Sequence, residues 1–442
     1  MDDVETCLRV LERVRAGLVD DATAERVERA AAALYKSGKK RQKVSRRHAS
    51  ASADRLLLSR STRFVDENPA PVPALPATPS EEELRRARNC YVCKEPYRRV
   101  HADYHLLCPA CAAENTQRRA ARCDLRGRRA LVTGGRIKIG FHLALKLLRD
   151  GAEVLVTTRF PADAARRFAA VPDAGEWLDR LSIHGVDFLD LPGVLGLVEH
   201  VHGRWDHLDI LVNNAAQTVH RPPAYHRAVR AAETLSLSGG AAAVVLSGRS
   251  SSGAALALPP STMDALFPAG RTDESGEPLD LRDVNSWMLG TGDVSPGEWL
   301  EVHVVNAFVP FLLTARLRGL LAAAPAPDRY VVQVSAMEGS FSRRHKTPRH
   351  PHTNMAKAAL NMLTRTAAAD YARDGIHMNS VDTGWITDER PHPGKQAARE
   401  AGFRPPLDVI DGAARVYDPI VRGVRGAPVH GLFLKDYRAV AW

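Results

Sequence analysis

The chain lacks any run approaching the roughly 18 consecutive apolar residues that a membrane span needs, so no transmembrane helix and no membrane role are expected. Its opening, MDDVETCLRV, places acids early and no long apolar stretch follows. A secretory signal is therefore not expected, and a cytoplasmic location is the default. Cysteine is scarce, six in 442 residues, and four of the six are too regularly spaced for a disulfide scaffold. Acids are in deficit, 51 against 61 Lys and Arg, which leaves a formal net charge of +10 and points to an anionic ligand, nucleotide or nucleic acid. What is present is enough to fold: 45% hydrophobic residues exclude wholesale disorder, and 442 residues exceed one ordinary core, so two or more domains are expected.

Residues 1–48 read as a helical segment with a basic tail. Val4, Leu8, Leu11, Val14 and Leu18 recur at three- and four-residue steps, the mark of an amphipathic helix. A second helix from about Asp21 to Lys36 is expected to stop at Gly38, which suits a C-terminal cap. The run KSGKKRQKVSRRH, residues 36–48, holds seven Lys or Arg and no acid. A solvated basic helix face is the preferred reading, ahead of a patch for nucleic acid or an acidic partner. Residues 49–80 contain ENPAPVPALPATPS and read as a stiff linker.

Residues 81–122 form a compact cysteine-bearing unit. Cys90, Cys93, Cys108 and Cys111 follow the pattern C-x2-C-x14-C-x2-C. Each close pair can offer two thiolates to one metal, and four sulfurs at about 2.3 Å suit tetrahedral Zn(II). A redox pair or an iron–sulfur cluster would need a context that is not evident. Four thiolates leave no open position, so a zinc ion here is expected to be structural. His101 and His105 are read as ordinary loop residues, and Cys7 and Cys123 as inert thiols.

From residue 123 to 442 apolar strand-like runs alternate with helical ones, which predicts an α/β domain with a doubly wound parallel sheet. RALVTGGRIKIGFHLALKLLRDGAEVLVTTRF, residues 129–160, reads as strand, Gly-containing turn, helix and second strand. Gly134 and Gly140 can bring backbone N–H groups onto a pyrophosphate at the helix N-terminus, within a turn made of Thr133, Gly134, Arg136, Lys138, Ile139 and Gly140. The second strand ends in TTR: Thr157 and Thr158 leave no acid for a free ribose 2′-hydroxyl, and Arg159 suits a 2′-phosphate. NADP(H) is therefore preferred over NAD(H).

Further on, LDILVNNAAQT, WLEVHVVNAF, YVVQVSAMEG, NMAKAAL and MNSVDTGWIT follow in order. With TGGRIKIG, this succession resembles the short-chain dehydrogenases/reductases over roughly residues 127–442, Lys138 replacing the middle glycine of the TGxxxGxG turn. The resemblance implies a Rossmann sheet and roles for individual residues. Asp187 would contact adenine, and Asn213, Asn214 and Ala215 would support the cofactor ribose. Asn306 would hold a proton-relay water, Ser335 would orient the substrate carbonyl, and Lys357 would grip the nicotinamide ribose. Gly384 and Ile386 would face the carboxamide, and PVHGLFLKDY fits the last strand. Related enzymes are commonly dimers or tetramers, so a homo-oligomer is an open expectation.

Two departures stand out. Asn214 and Asn306 lie 92 residues apart, tens more than the family spacing, which places an insertion at about 220–297, expected to be a lid or surface excursion. The other is in HPHTNMAKAAL, residues 350–360: Thr353 stands four residues before Lys357, where the family has Tyr, and no tyrosine occurs between Ser335 and Lys357. A threonine hydroxyl can donate a hydrogen bond but hardly act as the acid, which leaves Lys357, His350 or His352 as proton sources. Arg343, Arg344 and Arg349 read equally well as a solvated loop or as grips for an anionic substrate. Two function classes follow: NADP(H)-dependent hydride transfer on an anionic carbonyl, alcohol or imine with a nonstandard proton donor, or a catalytically silent NADP(H)-binding sensor or scaffold that holds a protein or nucleic-acid partner.

Overall fold

A computed structural model describes residues 2–64, 82–249, 265–273, 275–343 and 345–442. The chain divides into two compact units, Met1–Pro109 and Ala110–Trp442. In the first, α1 (Asp3–Arg15) is followed by α2 (Asp21–Ser59), started by Asp20, whose carboxylate accepts the Thr23 N–H at 2.9 Å. The expected stop at Gly38 does not occur. Gly38 lies inside α2, where one glycine costs about 1 kcal/mol among Ala, Lys, Arg and Gln that all favour helix. The helix thus takes up 49–59 of the expected linker, whose Pro-rich part lies outside the described residues. Its C-terminal end packs on a two-stranded antiparallel sheet, β1 (Glu83–Asn89) and β2 (Pro96–Arg99). Buried Asp54 accepts the Arg85 N–H at 2.7 Å and fixes the helix to the strand.

The second unit holds a nine-stranded sheet. Its strands are β3 (Arg129–Val132), β4 (Glu153–Thr158), β5 (Leu181–Gly185), β6 (Ile210–Asn213), β7 (Val245–Gly248), β8 (Arg329–Ser335), β9 (Ile376–Asp382), β10 (Phe433–Lys435) and β11 (Arg438–Val440). They lie in the order 11-10-9-8-6-3-4-5-7, all parallel except β11, which pairs antiparallel with β10. Part of the insertion is thus a sheet strand and not the expected surface excursion: β7 adds to the edge beside β5. Residues 250–264 of the insertion lie outside the described residues.

Around the sheet run α3 (Pro109–Arg119), α4 (Lys138–Arg149), α5 (Pro161–Ala169), α6 (Leu191–Arg204) and the short α7 (Arg227–Glu233) and α8 (Gly240–Ala243). They continue with α9 (Pro296–His303), α10 (Val309–Arg316), α11 (Arg318–Ala322), α12 (Pro351–Arg373), α13 (His392–Glu400) and α14 (Val409–Val424). Side chains alternate along the strands. Val132, Val154 and Val156 enter one core with Leu143 and Leu147 of α4 and Val416 of α14. Leu131, Leu155 and Leu211 enter another with Leu197 of α6, Leu313 of α10 and Ala368 of α12. Both faces are therefore covered, as a sheet whose strands are parallel but for the edge strand β11 requires. Among the described residues no helix is long and apolar enough to cross a membrane.

Candidate nucleotide and active site

The sheet order reverses beside β3, with β4 and β5 to one side and β6 and β8 to the other. Doubly wound sheets bind ligands in the crevice at this point. Here the chain leaves β3 through Thr133 and turns into α4. Thr133 Oγ1 accepts the N–H groups of Asn214 and Ala215, each at 2.9 Å. Asn214 Nδ2 donates back to Thr133 O at 2.9 Å and Gly134 O at 3.1 Å. Gly134 has φ +69°, and a Cβ there would sit 2.9 Å from Ala215 Cα. On Gly140 a Cβ would sit 2.2 Å from Gly134 O, so the turn closes only on glycine. Lys138, in the place of the motif's middle glycine, adopts φ +52°, a left-handed geometry that costs an L-residue about 1 kcal/mol. Ile137, at the N-cap of α4, makes no side-chain capping bond, so among the described residues the first N–H groups of α4 have no cap from it and can serve another acceptor.

The cations of this turn have protein partners. Buried Arg136 lies between Asp163 Oδ2 and Glu277 Oε1, both at 2.8 Å. Lys138 Nζ is 3.8 Å from Glu389 Oε1. Burial alone would raise the Glu389 carboxyl, but Lys138 and the Thr387 hydroxyl at 2.6 Å bring it down to about 2. Arg159, just past β4, has Nη2 3.3 Å from His226 Nε2. Burial, then the positive field of Arg159 and Arg136, pushes His226 down to about 2, so its ring is neutral. Asp187 Oδ1 accepts the Leu189 N–H at 3.1 Å. Asn213 does not turn its side chain to the crevice: its Nδ2 donates to Gln333 Oε1 at 3.0 Å and Thr314 Oγ1 at 3.2 Å inside the protein. Ile139 and Ile386 meet over Gly412, where a Cβ would lie 3.2 Å from Ile139 Cγ1 and 3.1 Å from Ile386 Cδ1. Gly384, at φ +79°, donates its N–H to Asp382 Oδ1 at 3.0 Å.

Glu277, Glu389 and His226 were not picked out in the sequence. Glu277 stands 141 residues from Arg136, too far for any local pattern to connect them. The elements that carry the two carboxylates are tied together: His392 N–H donates to Asp280 O at 2.7 Å, and Asn285 Nδ2 to Glu389 O at 2.8 Å.

The second group gathers at the C-terminal end of β8. Ser335 closes that strand, and α12 packs against it, starting at Pro351, whose fixed φ suits the first helical position. Lys357 Nζ donates to Val334 O at 2.8 Å. Burial lowers the Lys357 ammonium to about 8, with Glu338 opposing the shift. Ser335 Oγ and Thr353 Oγ1 are both buried and, among the described residues, have no hydrogen-bond partner. Asn306 sits in a π-helical turn, Val304–Phe308, between α9 and α10. Such turns often mark functional positions. Its Oδ1 accepts the Gln217 N–H at 2.7 Å and its Nδ2 donates to Gln217 O at 2.9 Å, so the amide clasps the loop after β6. His350, the N-cap residue just before α12, has φ +42° and stacks on Trp287 with ring centroids 3.9 Å apart. Buried His352 points its Nε2 to Glu298 Oε1 at 3.4 Å and lines a groove of about 490 Å³ with Trp299, Leu300 and Met355. Arg343 is paired with Glu338 at 2.6 Å, Arg349 is exposed, and Arg344 lies outside the described residues.

The four cysteine sulfurs of Cys90, Cys93, Cys108 and Cys111 lie within 4.8 Å of one another. Cys93 Sγ and Cys108 Sγ are 3.7 Å apart, close to the edge of roughly 3.8 Å that follows from four sulfurs at about 2.3 Å from one zinc. Burial raises the Cys90 thiol, but N–H groups directed at its sulfur, Cys108's at 3.3 Å among them, outweigh that and favour the thiolate. His101 and His105 stand outside the sulfur cluster. Cys123 Sγ lies 3.0 Å from Tyr417 Oη.

Sheet order, glycine turn and crevice define a doubly wound protein of the Rossmann class. Residues 128–237 match the family model of short chain dehydrogenases, and residues 287–401 match the model described as Enoyl-(Acyl carrier protein) reductase. The chain belongs to the short-chain dehydrogenase/reductase family, a family of oxidoreductases. Between the two matches residues 238–286 are left uncovered, inside the expected insertion. The chain is 34% identical over 345 residues to uncharacterized protein R665 of Acanthamoeba polyphaga mimivirus, covering 75% of this chain and 71% of that one. It is 30% identical over 98 residues to a fatty acyl-CoA reductase of Acinetobacter baylyi, covering 22% of this chain and 32% of that enzyme. Among solved structures, an NADPH-bound carbonyl reductase from chicken fatty liver is 18% identical, with a TM-score of 0.46 over 72% of this chain and all of that one (100%).

Proposed function

We propose that the protein is an NADP(H)-dependent oxidoreductase in which Lys357 supplies the proton that a tyrosine would otherwise deliver. One observation carries this reading: a buried ammonium lowered to about 8 stands one turn from the buried Thr353 hydroxyl, at the strand end that carries the Ser335 hydroxyl, and among the described residues neither hydroxyl has a hydrogen-bond partner. The dinucleotide supplies or accepts the hydride when bound. Ser335 and Thr353 donate hydrogen bonds to the substrate oxygen, on which negative charge builds. Lys357, held through Val334 O, gives that oxygen its proton; at pH 7 a group with pKa about 8 is roughly nine-tenths protonated. In the reverse direction the neutral amine takes the proton from an alcohol. An imine substrate that arrives protonated relieves Lys357 of that task.

The N-terminus of α4, without a cap from Ile137, and the glycine turn fit a pyrophosphate, and Arg159 at the end of β4, with no acid beside it on that strand, fits a 2′-phosphate. Arg349, exposed ahead of α12, suits an anionic substrate. Calorimetry with NADPH and NADH tests the cofactor reading. Wild type is expected to prefer NADPH, and Arg159→Ala to lose that preference. If neither nucleotide binds, the oxidoreductase reading is abandoned.

The cysteine cluster is read as a structural Zn(II) site because its sulfur spacing fits a zinc tetrahedron. One zinc per chain by atomic emission is expected, and none in a Cys93→Ser, Cys108→Ser variant. Exposed Trp299, Leu300 and Met355 share one groove, which supports self-association through α9 and α12. The loss of the phenol at Thr353 favours a second reading, a catalytically silent NADP(H) sensor. NADPH binding without turnover across a screen of anionic carbonyls and imines would select it.

A further inference from the structure

We infer that the exposed middle of α2 is a contact surface for the phosphate backbone of duplex DNA. At 3.6 residues per turn, Lys36, Lys39, Lys40, Lys43, Arg46 and Arg47 fall within an arc of roughly 120° on one side of the helix. Arg41 alone of the basic run points to the other side. The six cover about 17 Å of helix axis. All are exposed, and among the described residues none is paired with a carboxylate. The positive charge is therefore gathered on one side and left uncompensated, whereas a face that merely keeps a helix soluble needs only scattered charges of both signs.

What surrounds the stripe narrows the partner. An interfacial membrane helix needs an apolar face opposite its cations. Here the remaining positions of 37–48 are Ser37, Gly38, Arg41, Gln42, Val44, Ser45 and His48, with one apolar side chain among them. The same composition gives no apolar seam for a coiled coil. Single-stranded nucleic acid is gripped largely by stacking on several aromatic side chains, whereas the stripe has one at its edge, exposed Tyr35, with Lys39 Nζ 5.8 Å from its ring centroid and no other before His48. Duplex DNA asks for less: it carries one negative charge per about 1.7 Å of axis, so about ten phosphates face the length of the stripe. Its major groove, about 12 Å wide, admits a helix, whereas that of duplex RNA is deep and narrow. The stripe has no side chain arranged to read bases, so binding is expected to be independent of sequence.

The surface belongs to the first unit and stands independently of the cofactor reading. It is tested by fluorescence anisotropy of the full chain on a labelled 20-base-pair DNA duplex from 25 to 200 mM salt. Duplex RNA, single-stranded DNA and vesicles of anionic phospholipid form the other arms. Binding to duplex DNA, with log affinity falling against log salt at a slope of about −4 to −5, is expected for up to six phosphates contacted. The quadruple variant Lys36→Gln, Lys40→Gln, Lys43→Gln, Arg47→Gln should lose at least 10-fold in affinity and flatten the slope by about 3 to 4. Arg41→Gln, on the far side, should keep both within twofold. Circular dichroism establishes that each variant stays helical, since Gln favours helix about as well as Lys. No duplex binding at 25 mM salt, equal effects of the two variants, or tighter binding to single strands, RNA or vesicles each overturns the proposal.

Discussion

Replacing Lys357 by Met should change how stability depends on pH more than it changes stability itself. The Lys357 ammonium titrates near 8 in the folded protein and near 10.5 in the unfolded chain. The gap of about 2.5 pH units, at 1.36 kcal/mol each, is a penalty of about 3 kcal/mol for keeping the charge buried. That penalty is complete below pH 8. Between 8 and 10.5 the unfolded chain binds more protons than the folded one, so stability rises with pH, and above 10.5 the penalty is gone. Methionine keeps the stem but removes the charge and the 2.8 Å bond to Val334 O, which as a charged donor is worth about 1.5–3 kcal/mol. At pH 7 the two effects nearly offset, and the variant should lie within about 2 kcal/mol of wild type. From pH 7 to 10.5 wild type should gain about 3 kcal/mol over the variant. Urea titrations at half-unit pH steps, followed by tryptophan fluorescence, measure this difference. All six tryptophans lie between Ala110 and Trp442, so the signal reports the sheet-bearing unit alone. Other groups that titrate in this range cancel between the two proteins. A difference flat to within 0.5 kcal/mol would mean that Lys357 is not held in a charge-averse site, and its assignment as proton source would go with it.

If Lys357 is the acid, kcat/KM for carbonyl reduction should fall above about pH 8, and that for alcohol oxidation should rise over the same interval; a flat profile from 6 to 9.5 removes the assignment. Gly140→Ala puts a Cβ 2.2 Å from Gly134 O, contact with backbone that cannot give way, so nucleotide affinity by calorimetry should drop at least 10-fold; retention within twofold would exclude the turn as the pyrophosphate site. Buried Arg415 donates to Asn115 Oδ1 at 2.8 Å and Asp436 Oδ1 at 3.0 Å. Arg415→Met leaves both acceptors buried and should cost about 3–5 kcal/mol in the urea titration, whereas a loss under 1 kcal/mol would show that water or Lys435 takes over.

How far a sequence can be read here depends on how far apart the interacting parts lie. The Gly-rich turn was legible because its demands are local: Gly134 needs φ +69° and Gly140 must clear Gly134 O six residues away. Thr353 and Lys357 were placed correctly on one helix because a single period governs both. Gly38 misled for the opposite reason. Glycine ends a helix only when the chain must turn there, and α2 runs on to Ser59, where the apolar Leu57 and Leu58 find a core and Asp54 a strand to hold. β7 misled likewise: Val245–Gly248 is too short to declare a strand, and only pairing with β5, some sixty residues earlier, makes it one. The cation partners are the extreme case. Arg136 and Lys138 look like free phosphate ligands when read along the turn, yet Asp163, Glu277 and Glu389 meet them from 27 and 141 residues away and from beyond β9. Ion pairs carry no sequence period, so the same fold that makes a turn's backbone predictable leaves the charges upon it to be settled by tertiary structure. A phosphate-bearing ligand that drew Arg136 or Lys138 to itself would have to exchange carboxylates for phosphates, and its affinity would measure the difference between the two sets of contacts, not the sum of the cations that the motif displays.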